Sequence, residues 1–166
     1  MLTNQEVAEE LLGKFGDQVF DFEEPYGLLT LSTTREDIIP IMEFLKDHKN
    51  FQLIFLTDLT GIHYPDAPGQ EFMVVYHMHS FIHNFRIRLK VSLAESDPHI
   101  PTATGLFACA NWMERETYDF FGILFDGHPD LRRILNIEEM DYFPMRKEYP
   151  MEDATREDKI DALFGR

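Results

Sequence analysis

The first apolar positions of the chain recur every four residues. Val7, Leu11 and Phe15 lie four residues apart, with Leu12 beside them, which is the spacing of one face of an amphipathic helix. The pattern predicts a helix over residues 4–15, with Asn4 as its N-cap. So short a helix is stable in water only when its apolar face packs against another element.

Five further stretches have the length and composition of strands. Residues 19–22 and 28–31 flank a Glu-Glu-Pro-Tyr-Gly turn, residues 51–56 resemble a buried strand, and residues 72–79 and 85–92 predict an antiparallel hairpin. The last stretch alternates strictly, so one set of side chains faces a core and the other faces away. The inward set is Phe85, Ile87, Leu89 and Val91, and the outward set is Arg86, Arg88 and Lys90.

A second helix is predicted between the second and third of these strands. Its expected cap is Thr33 or Thr34, and Glu36 stands three residues after Thr33, as in a capping box. Pro40 lies beyond the first turn of such a helix. The proline therefore either kinks the helix or moves its start to a later residue.

The order α-β-β-α-β-β-β predicts an α+β fold, a mixed β-sheet with helices packed on one face. A further helix is expected over about residues 104–121, followed by an extended C-terminal segment. We divide the chain into an α+β domain (1–96), a helix plus extended partner-binding segment of the same domain (97–150) and a charged tail (151–166).

Composition indicates one globular domain with a sizeable core. The chain has 166 residues, of which 44% are hydrophobic and 15 are Phe. Its net charge of −15 argues against binding to nucleic acid or to an anionic membrane surface. The acidity serves solubility or complements basic partner subunits, and both roles stay open here.

The single cysteine, Cys109, excludes a disulfide within the chain and indicates a structural thiol in a reducing compartment. The N-terminal residues lack the basic and apolar regions of a secretory signal. No apolar run reaches the roughly 20 residues that span a bilayer. These features predict a soluble, cytoplasmic protein that can still attach to a membrane complex.

Common cofactor and nucleophile motifs are missing from the sequence. Neither Gly-x-Gly-x-x-Gly, Gly-x-x-x-x-Gly-Lys nor Gly-x-Ser-x-Gly occurs, and one cysteine is too few for an iron–sulfur cluster. His77, His79 and His83 are spaced as in a metal site, but no carboxylate at close spacing completes it. A polar sheet face beside a turn is the simpler interpretation, and we expect neither cofactor nor metal in this chain.

The predicted third helix mixes charged and aromatic residues. Arg115 and Asp119 are four residues apart, so an ion pair on the helix face is expected. Two carboxylates without a nucleophile or metal nearby are weak evidence for catalysis. Gly122 is the expected end of the helix. The aromatic and apolar residues expected in the core are Trp112, Met113, Tyr118, Phe120 and Phe121.

Basic residues recur in the extended segment that follows, at Arg132, Arg133, Arg146 and Lys147. An extended, proline-fixed segment that carries arginines suits a surface wrapped onto another protein. Solvation of the same side chains is the competing interpretation. The outward set of the hairpin has the same two interpretations, a solvated sheet face or a contact with a partner's carboxylates.

The sequence from Ala110 to Leu135, with its run Glu-Arg-Glu-Thr-Tyr-Asp-Phe-Phe-Gly-Ile-Leu-Phe-Asp-Gly-His-Pro-Asp-Leu-Arg-Arg, closely resembles the signature of one known family. That family is the 30-kDa subunit of respiratory complex I, in bacteria the C-type subunit of the NADH–quinone oxidoreductase. Pro-Met-Arg-Lys-Glu-Tyr-Pro (144–150) and the hairpin segments 74–78 and 83–91 are also similar to it. Met-Asp-Tyr-Phe before Pro144 departs from the family pattern. The chain resembles a stand-alone C-type subunit, not the fused C–D form.

The resemblance implies a non-catalytic subunit in the peripheral arm of a proton-translocating enzyme, on the cytoplasmic side of the bacterial cell membrane. Such a subunit braces the quinone module and contacts the 49-kDa-type (D-type) subunit and neighbouring cluster-bearing subunits. FMN, iron–sulfur clusters and quinone are then expected in partner subunits. The expected contact residues are Glu114, Arg115, Glu116, Asp119, Gly122, Gly127, His128, Pro129, Arg132, Arg133, Arg146 and Lys147. Arg133→Glu is expected to weaken assembly while leaving the isolated fold intact.

Three other interpretations stay open at this point. Proteins related to this family serve in membrane-bound hydrogenases and in enzymes that use other electron donors. The chain could therefore be the homologous subunit of a membrane-bound hydrogenase or of a quinone reductase with another electron donor. A small stand-alone enzyme would use Glu114, Glu116 and His128 as acid and base groups. A histidine-dependent metal-binding module is the third.

Overall fold

A computed structural model describes residues 2–149, so the predicted tail (151–166) lies outside the described residues. The helices are α1 (Asn4–Phe15), α2 (Ile38–Asp47) and α3 (Ala110–Phe121). The strands are β1 (Val19–Glu23), β2 (Leu29–Thr33), β3 (Phe55–His63), β4 (Phe72–Ser80), β5 (Phe85–Leu93), β6 (His99–Pro101) and β7 (Leu124–Asp126).

The main sheet has five strands in the order β1-β2-β5-β4-β3. The central pair, β2 and β5, is parallel and the other neighbours are antiparallel, so the sheet is mixed. β6 and β7 form a separate parallel pair. The predicted α+β fold and its order α-β-β-α-β-β-β are confirmed, and so is the hairpin of β4 and β5.

Apolar side chains of the sheet and the helices form one core on one side of the sheet. Val7 of α1, Ile41 of α2 and Leu89 of β5 have no exposed surface and belong to the same cluster. Burying each such side chain stabilises the fold by about 1.5–3 kcal/mol. The alternation predicted for β5 is confirmed, because its inward residues are buried and Arg86 is exposed.

Helix α3 packs on β3 where the strand has no side chain. A Cβ at Gly61 would lie 2.8 Å from Cδ2 of Phe121 and 3.1 Å from Cγ2 of Thr117. Glycine is therefore required at this crossing, because any larger residue would push the helix away from the sheet. The crossing fixes α3, and with it the segment that follows, against the edge of the sheet.

The predicted cap of the second helix, Thr33 or Thr34, is wrong, but the alternative that the helix starts at a later residue is confirmed. Thr33 is the last residue of β2, and its hydroxyl donates to the carbonyl of Gln18. α2 begins at Ile38 instead, which places Pro40 in the first turn, where its missing N–H removes no helical hydrogen bond. The capping box lies at α1, with Thr3 rather than Asn4 as N-cap.

Two other predicted boundaries are also wrong. β3 runs from Phe55 to His63, whereas the predicted strand over residues 51–56 is largely an irregular link with Gln52 at a φ of +48°. α3 begins at Ala110 instead of near 104, because residues 103–109 form consecutive tight turns. None of the helices found in residues 2–149 combines the length and the apolar character that a membrane crossing requires.

Candidate functional site

The region of interest is α3 together with the C-terminal strap, which we define as residues 127–149. The strap follows an irregular path along α3, from Asn111 near the start of the helix to Phe121 at its end. Gly122 ends α3 with a φ of +78°, a left-handed conformation that favours glycine, so the predicted end of the helix is confirmed. A Cβ at Gly122 would lie 2.6 Å from the ring of Phe143, so the strap passes directly over the end of the helix.

Asp119 of α3 binds a loop of the strap. Its fully buried carboxylate accepts backbone N–H bonds from Ile134, Leu135 and Asn136 at 2.8–3.0 Å. Burial opposes ionisation, but these bonds and the guanidinium of Arg133 outweigh it and hold the pKa of Asp119 well below its usual range. The carboxylate therefore acts as a fixed anionic anchor, much as one does at a helix N-terminus.

Arg133 binds both α3 and a later part of the strap. Its Nη1 donates to the carbonyl oxygen of Asp119 at 3.0 Å and to the carboxylate at 2.8 Å. Its Nη2 donates to the carbonyls of Met140 and Tyr142 at 2.8 and 2.9 Å. Both terminal nitrogens of the planar guanidinium thus donate hydrogen bonds, and the side chain is only 9% exposed.

Arg115 also reaches the strap, so the predicted ion pair between Arg115 and Asp119 is wrong. The Nε and Nη2 atoms of Arg115 donate to the carbonyls of Arg132 and Arg133, each at 3.1 Å. Its guanidinium lies 5.3 Å from the ring centroid of Trp112. Both residues of the expected surface pair are buried because each satisfies polar groups of the irregular segment instead.

The far end of the strap is held by Arg146. Its Nε donates to the carbonyl of Phe121 at 2.8 Å, and its guanidinium lies 4.9 Å from the ring centroids of both Phe72 and Phe143. The backbone N–H of Lys147 donates to Nδ1 of buried His63 at 2.9 Å. Because Nδ1 accepts this bond, the network assigns the proton of a neutral His63 to Nε2.

Glu114 and His128 come together beneath the start of the strap. The carboxylate of Glu114 accepts the hydroxyl of Thr102 at 2.5 Å and the N–H of Ala103 at 2.6 Å. Burial raises the pKa of Glu114 to about 7, although these two bonds lower it. His128 Nε2 lies 4.0 Å from the carboxylate and 3.2 Å from the carbonyl of Asn111.

The three residues of the acid/base hypothesis do not share an accessible site. The side chains of Glu114 and His128 have no exposed surface, whereas Glu116 is exposed. A substrate cannot reach the buried carboxylate in this arrangement. Tyr76 contributes a further buried hydroxyl nearby, and burial followed by the charge of Glu114 raises its pKa.

Two histidines of the metal hypothesis, His77 and His79, lie on the opposite side of the sheet, whereas His83 lies in the turn after β4 and lines a cavity with Glu6 and Glu9 of α1. His77 Nε2 accepts the Nε–H of Arg88 at 2.8 Å, and its Nδ1 lies 3.5 Å from a carboxylate oxygen of Asp58. Burial and the charge of Arg88 lower the pKa of His77, against an opposing effect of Asp58. Among residues 2–149, no group of three or more His, Cys, Asp or Glu side chains is arranged to hold a metal ion.

The structure divides the predicted contact residues into two groups, and their contact with a partner stays a prediction. The inward group is buried or binds within the chain; it comprises Glu114, Arg115, Asp119, Gly122, His128, Arg133 and Arg146. The exposed group comprises Glu116, Gly127, Pro129, Arg132 and Lys147. The expectation that Arg133→Glu leaves the fold intact is wrong in its premise, since Arg133 makes four hydrogen bonds within the chain.

Sequence analysis missed the exposed apolar side chains of this region. Trp112, predicted as core, is 61% exposed, and Leu135 and Ile137 of the strap are 64% and 67% exposed. The helical spacing of the buried residues of α3 would have identified Trp112 as exposed. The residues that face inward at helical spacing are Ala110, Glu114, Thr117 and Phe121, which turns Trp112 outward.

The family model described as the respiratory-chain NADH dehydrogenase, 30 Kd subunit, matches residues 31–155. The C-type subunit of the NADH-quinone oxidoreductase of Nocardioides sp. is 45% identical over 125 residues, which are 75% of this chain and 50% of the relative. The corresponding C-type subunit of Trichlorobacter lovleyi is 40% identical over 157 residues, 95% of this chain and 96% of the relative. The chain thus spans half the length of the first relative and nearly all of the second.

Two solved structures have a similar fold. A trypsin-resistant fragment of Nqo5 is 35% identical, with a TM-score of 0.65 over 76% of this chain and 98% of the fragment. A chain of the membrane-bound sulfane sulfur reductase, an archaeal respiratory membrane complex, is 20% identical, with a TM-score of 0.73 over 89% of this chain and 85% of that one. The second similarity is one of fold alone. Together with the family model and the relatives, the first shows that the chain belongs to the family of the 30-kDa subunit of the respiratory-chain NADH dehydrogenase.

Proposed function

We propose that the chain is a non-catalytic subunit in the peripheral arm of a proton-translocating NADH–quinone oxidoreductase, where it braces the quinone module. The names of its relatives in Nocardioides sp. and Trichlorobacter lovleyi support the assignment to such an enzyme. In this role the 49-kDa-type subunit and neighbouring cluster-bearing subunits are its partners. They bind FMN, iron–sulfur clusters and quinone, and the complex attaches the chain to the cytoplasmic side of the membrane.

The observation that carries the proposal is the two-sided character of the strap. Its polar anchors point inward, while Leu135, Ile137 and Met145 are 64%, 67% and 46% exposed. Trp112 of α3 adds a further exposed aromatic side chain. Large apolar groups held outward among polar ones are typical of protein–protein interfaces, and Trp and Met are enriched there.

The internal anchors explain how an irregular segment can serve as an interface. An extended segment that is ordered only on binding loses conformational entropy at that moment. Asp119, Arg133 and Arg146 already fix the strap in the free chain through hydrogen bonds to its backbone and to α3. The apolar side chains are therefore presented in a defined arrangement before a partner arrives.

The test compares two exposed aliphatic residues, Ile137 of the strap and Leu12 of α1, which are 67% and 47% exposed. Tagged full-length chain, expressed in the source organism, is purified from detergent-solubilised membranes, and bound subunits are quantified by mass spectrometry together with NADH–quinone activity. Wild type is expected to recover 49-kDa-type and cluster-bearing subunits with activity. Ile137→Asp is expected to lower this recovery about tenfold or more, as loss of a buried interface anchor does.

Leu12→Asp introduces the same charge outside the strap and is expected to leave recovery unchanged. Thermal unfolding of both variants separates a binding defect from a folding defect. Recovery of the wild-type chain alone would overturn the proposal. So would equal recovery by the two variants when their unfolding temperatures match.

A further inference from the structure

The outer sheet face, which we define as the side of β3, β4 and β5 opposite the helices, is uncovered by residues 2–149. Strand register places Thr60, Val75 and Lys90 in one row across this face and Ile62 and Met73 in the next. Thr60 is exposed, and Ile62, Met73 and Lys90 are partly exposed. The strap lies on the other side of the sheet, so the outer sheet face is a separate surface.

A shallow apolar groove runs along this face. Its volume is about 430 Å³, and its apolar lining includes Ile62, Tyr64, Met73 and Val75. Tyr64 is 45% exposed at its end. In an antiparallel sheet, one face commonly stays in water, but then the outward residues are mainly polar. The apolar groove therefore indicates a face that is covered in the assembled protein.

The groove is bordered by cations with few internal partners. Arg88 donates its Nε to His77, and Lys90 lies 3.5 Å from Glu23, whose side chain is 59% exposed. The side chain of Arg86, the preceding outward residue of β5, has no hydrogen bond or ion pair to any other of residues 2–149. β3, β4 and β5 contain one carboxylate, that of Asp58, beside these three cations, in a chain whose net charge is −15; Glu23 belongs to the more distant strand β1. Charge and apolar surface thus coincide on this face.

We propose that the outer sheet face docks an α-helix of a neighbouring protein, one that carries carboxylates beside an apolar stripe. This goes beyond the proposed function, which rests on the strap. Three strands at about 4.8 Å spacing span roughly 10 Å, close to the diameter of a helix. Apolar side chains of the helix fill the groove, and its carboxylates pair with Arg88 and Lys90.

The first test measures whether Lys90 is covered in the assembled protein. Tagged wild-type chain with its bound partners is acetylated with an amine-reactive ester, and the rates at Lys90 and at exposed Lys49 are compared with those in the isolated chain. Acetylation of Lys90 is expected to slow about fivefold or more, with no change at Lys49, because buried amines are shielded from reagent. A carboxyl–amine coupling reagent is expected to join Lys90 to an acidic peptide of a partner.

Equal acetylation of Lys90 in the two samples would overturn the proposal. So would protection in the isolated chain at high concentration, which would assign the face to a second copy. Protection that disappears when lipid is removed, with no cross-link to protein, would assign it to a membrane surface and also count against the helix.

Two variants of the face and one control variant complete the test. Arg88→Glu reverses a groove cation, and Lys49→Glu makes the same charge change elsewhere. Thr60→Trp adds bulk at an exposed position of the face without touching an ion pair. Arg88→Glu and Thr60→Trp are each expected to lower recovery of the cross-linked partner about tenfold, and Lys49→Glu to have no effect. If Ile137→Asp lowers recovery but neither face variant does, this proposal fails and the proposed function stands.

Discussion

Arg133 and Arg146 of the strap differ from the arginines of the outer sheet face in how many partners they find within the chain. Arg133 donates four hydrogen bonds to main-chain and carboxylate oxygens, and Arg146 lies between two phenyl rings. On the sheet face, Arg88 donates one side-chain bond, to a histidine. Arg133 and Arg146 hold an irregular segment in place, whereas the cations of the face keep donors free for another molecule. From the sequence alone, both sets have the same two interpretations, solvation or contact with a partner.

The largest expected effect comes from removing the anchor of the strap. Asp119→Ala leaves three backbone N–H groups and the Arg133 guanidinium without their acceptor, as happens when one partner of a buried ion pair is deleted. The free energy of unfolding is expected to fall by about 3–5 kcal/mol. Urea denaturation measures the loss, and fluorescence of the single Trp112 reports the strap locally.

Glu116→Ala is the matched control, since Glu116 is exposed on the same helix. Its effect is expected to stay within about 0.5 kcal/mol. If Asp119→Ala proves no more costly than this control, the strap is not held by its internal hydrogen bonds and the comparison fails.

The second prediction concerns how the unfolding free energy depends on pH through Glu114, which lies beneath the start of the strap. The ordinary pKa of a glutamate is 4.5 and that of Glu114 is about 7, so only the folded chain keeps this proton between those values. The stabilisation is fully present below pH 4.5 and is lost as pH rises to about 7. Glu114→Gln removes the titration. The unfolding free energy of wild type relative to this variant is expected to fall by up to about 3 kcal/mol across the window.

Equilibrium unfolding of both proteins between pH 4 and 8 measures this difference, and groups common to the two cancel. A constant difference between wild type and Glu114→Gln over the whole range contradicts a raised pKa at Glu114.

The regular helices and strands could be predicted because the pattern of apolar residues that indicates each one lies within a single short stretch of sequence. Alternation along β5 and helical spacing in α1 each reflect one buried face, so both elements were found. β3 was only partly found, because a bulge between Leu56 and Asp58 shifts the register and breaks the alternation of apolar residues. Its glycine, Gly61, also has no side chain to mark the inward face.

The candidate site could be predicted only as a set of residues. The charged motif located α3 and the strap, but an isolated Arg115–Asp119 spacing predicts a surface ion pair. The actual partners of the Arg115 and Asp119 side chains are carbonyl and N–H groups 15 to 18 residues away. Backbone groups carry no sequence signal, since every residue has them. Which charges turn inward was therefore decided by tertiary packing.

The third prediction tests whether the planar guanidinium of Arg133 is needed for its several hydrogen bonds. Arg133→Lys keeps the charge but cannot donate to both Met140 and Asp119 from one rigid plane. We expect a loss of about 1–2 kcal/mol in unfolding free energy, measured by urea denaturation. Arg88→Lys, on the sheet face, is the control and is expected to be close to neutral. Equal effects of the two substitutions would remove the distinction between the two sets of arginines.

The smallest effect is expected at Arg86. Its side chain is exposed and bonds to none of residues 2–149, so Arg86→Ala removes no internal hydrogen bond. Its unfolding free energy is expected to stay within about 0.5 kcal/mol of wild type, because surface substitutions without partners rarely cost more. Raising the ionic strength is expected to leave this difference unchanged, since no ion pair is present to screen. A loss above about 1 kcal/mol in the isolated chain, or one that shrinks with salt, would show that Arg86 is used within the fold like Arg133. A neutral result leaves its guanidinium available to a partner, which is the property that separates the outer sheet face from the strap.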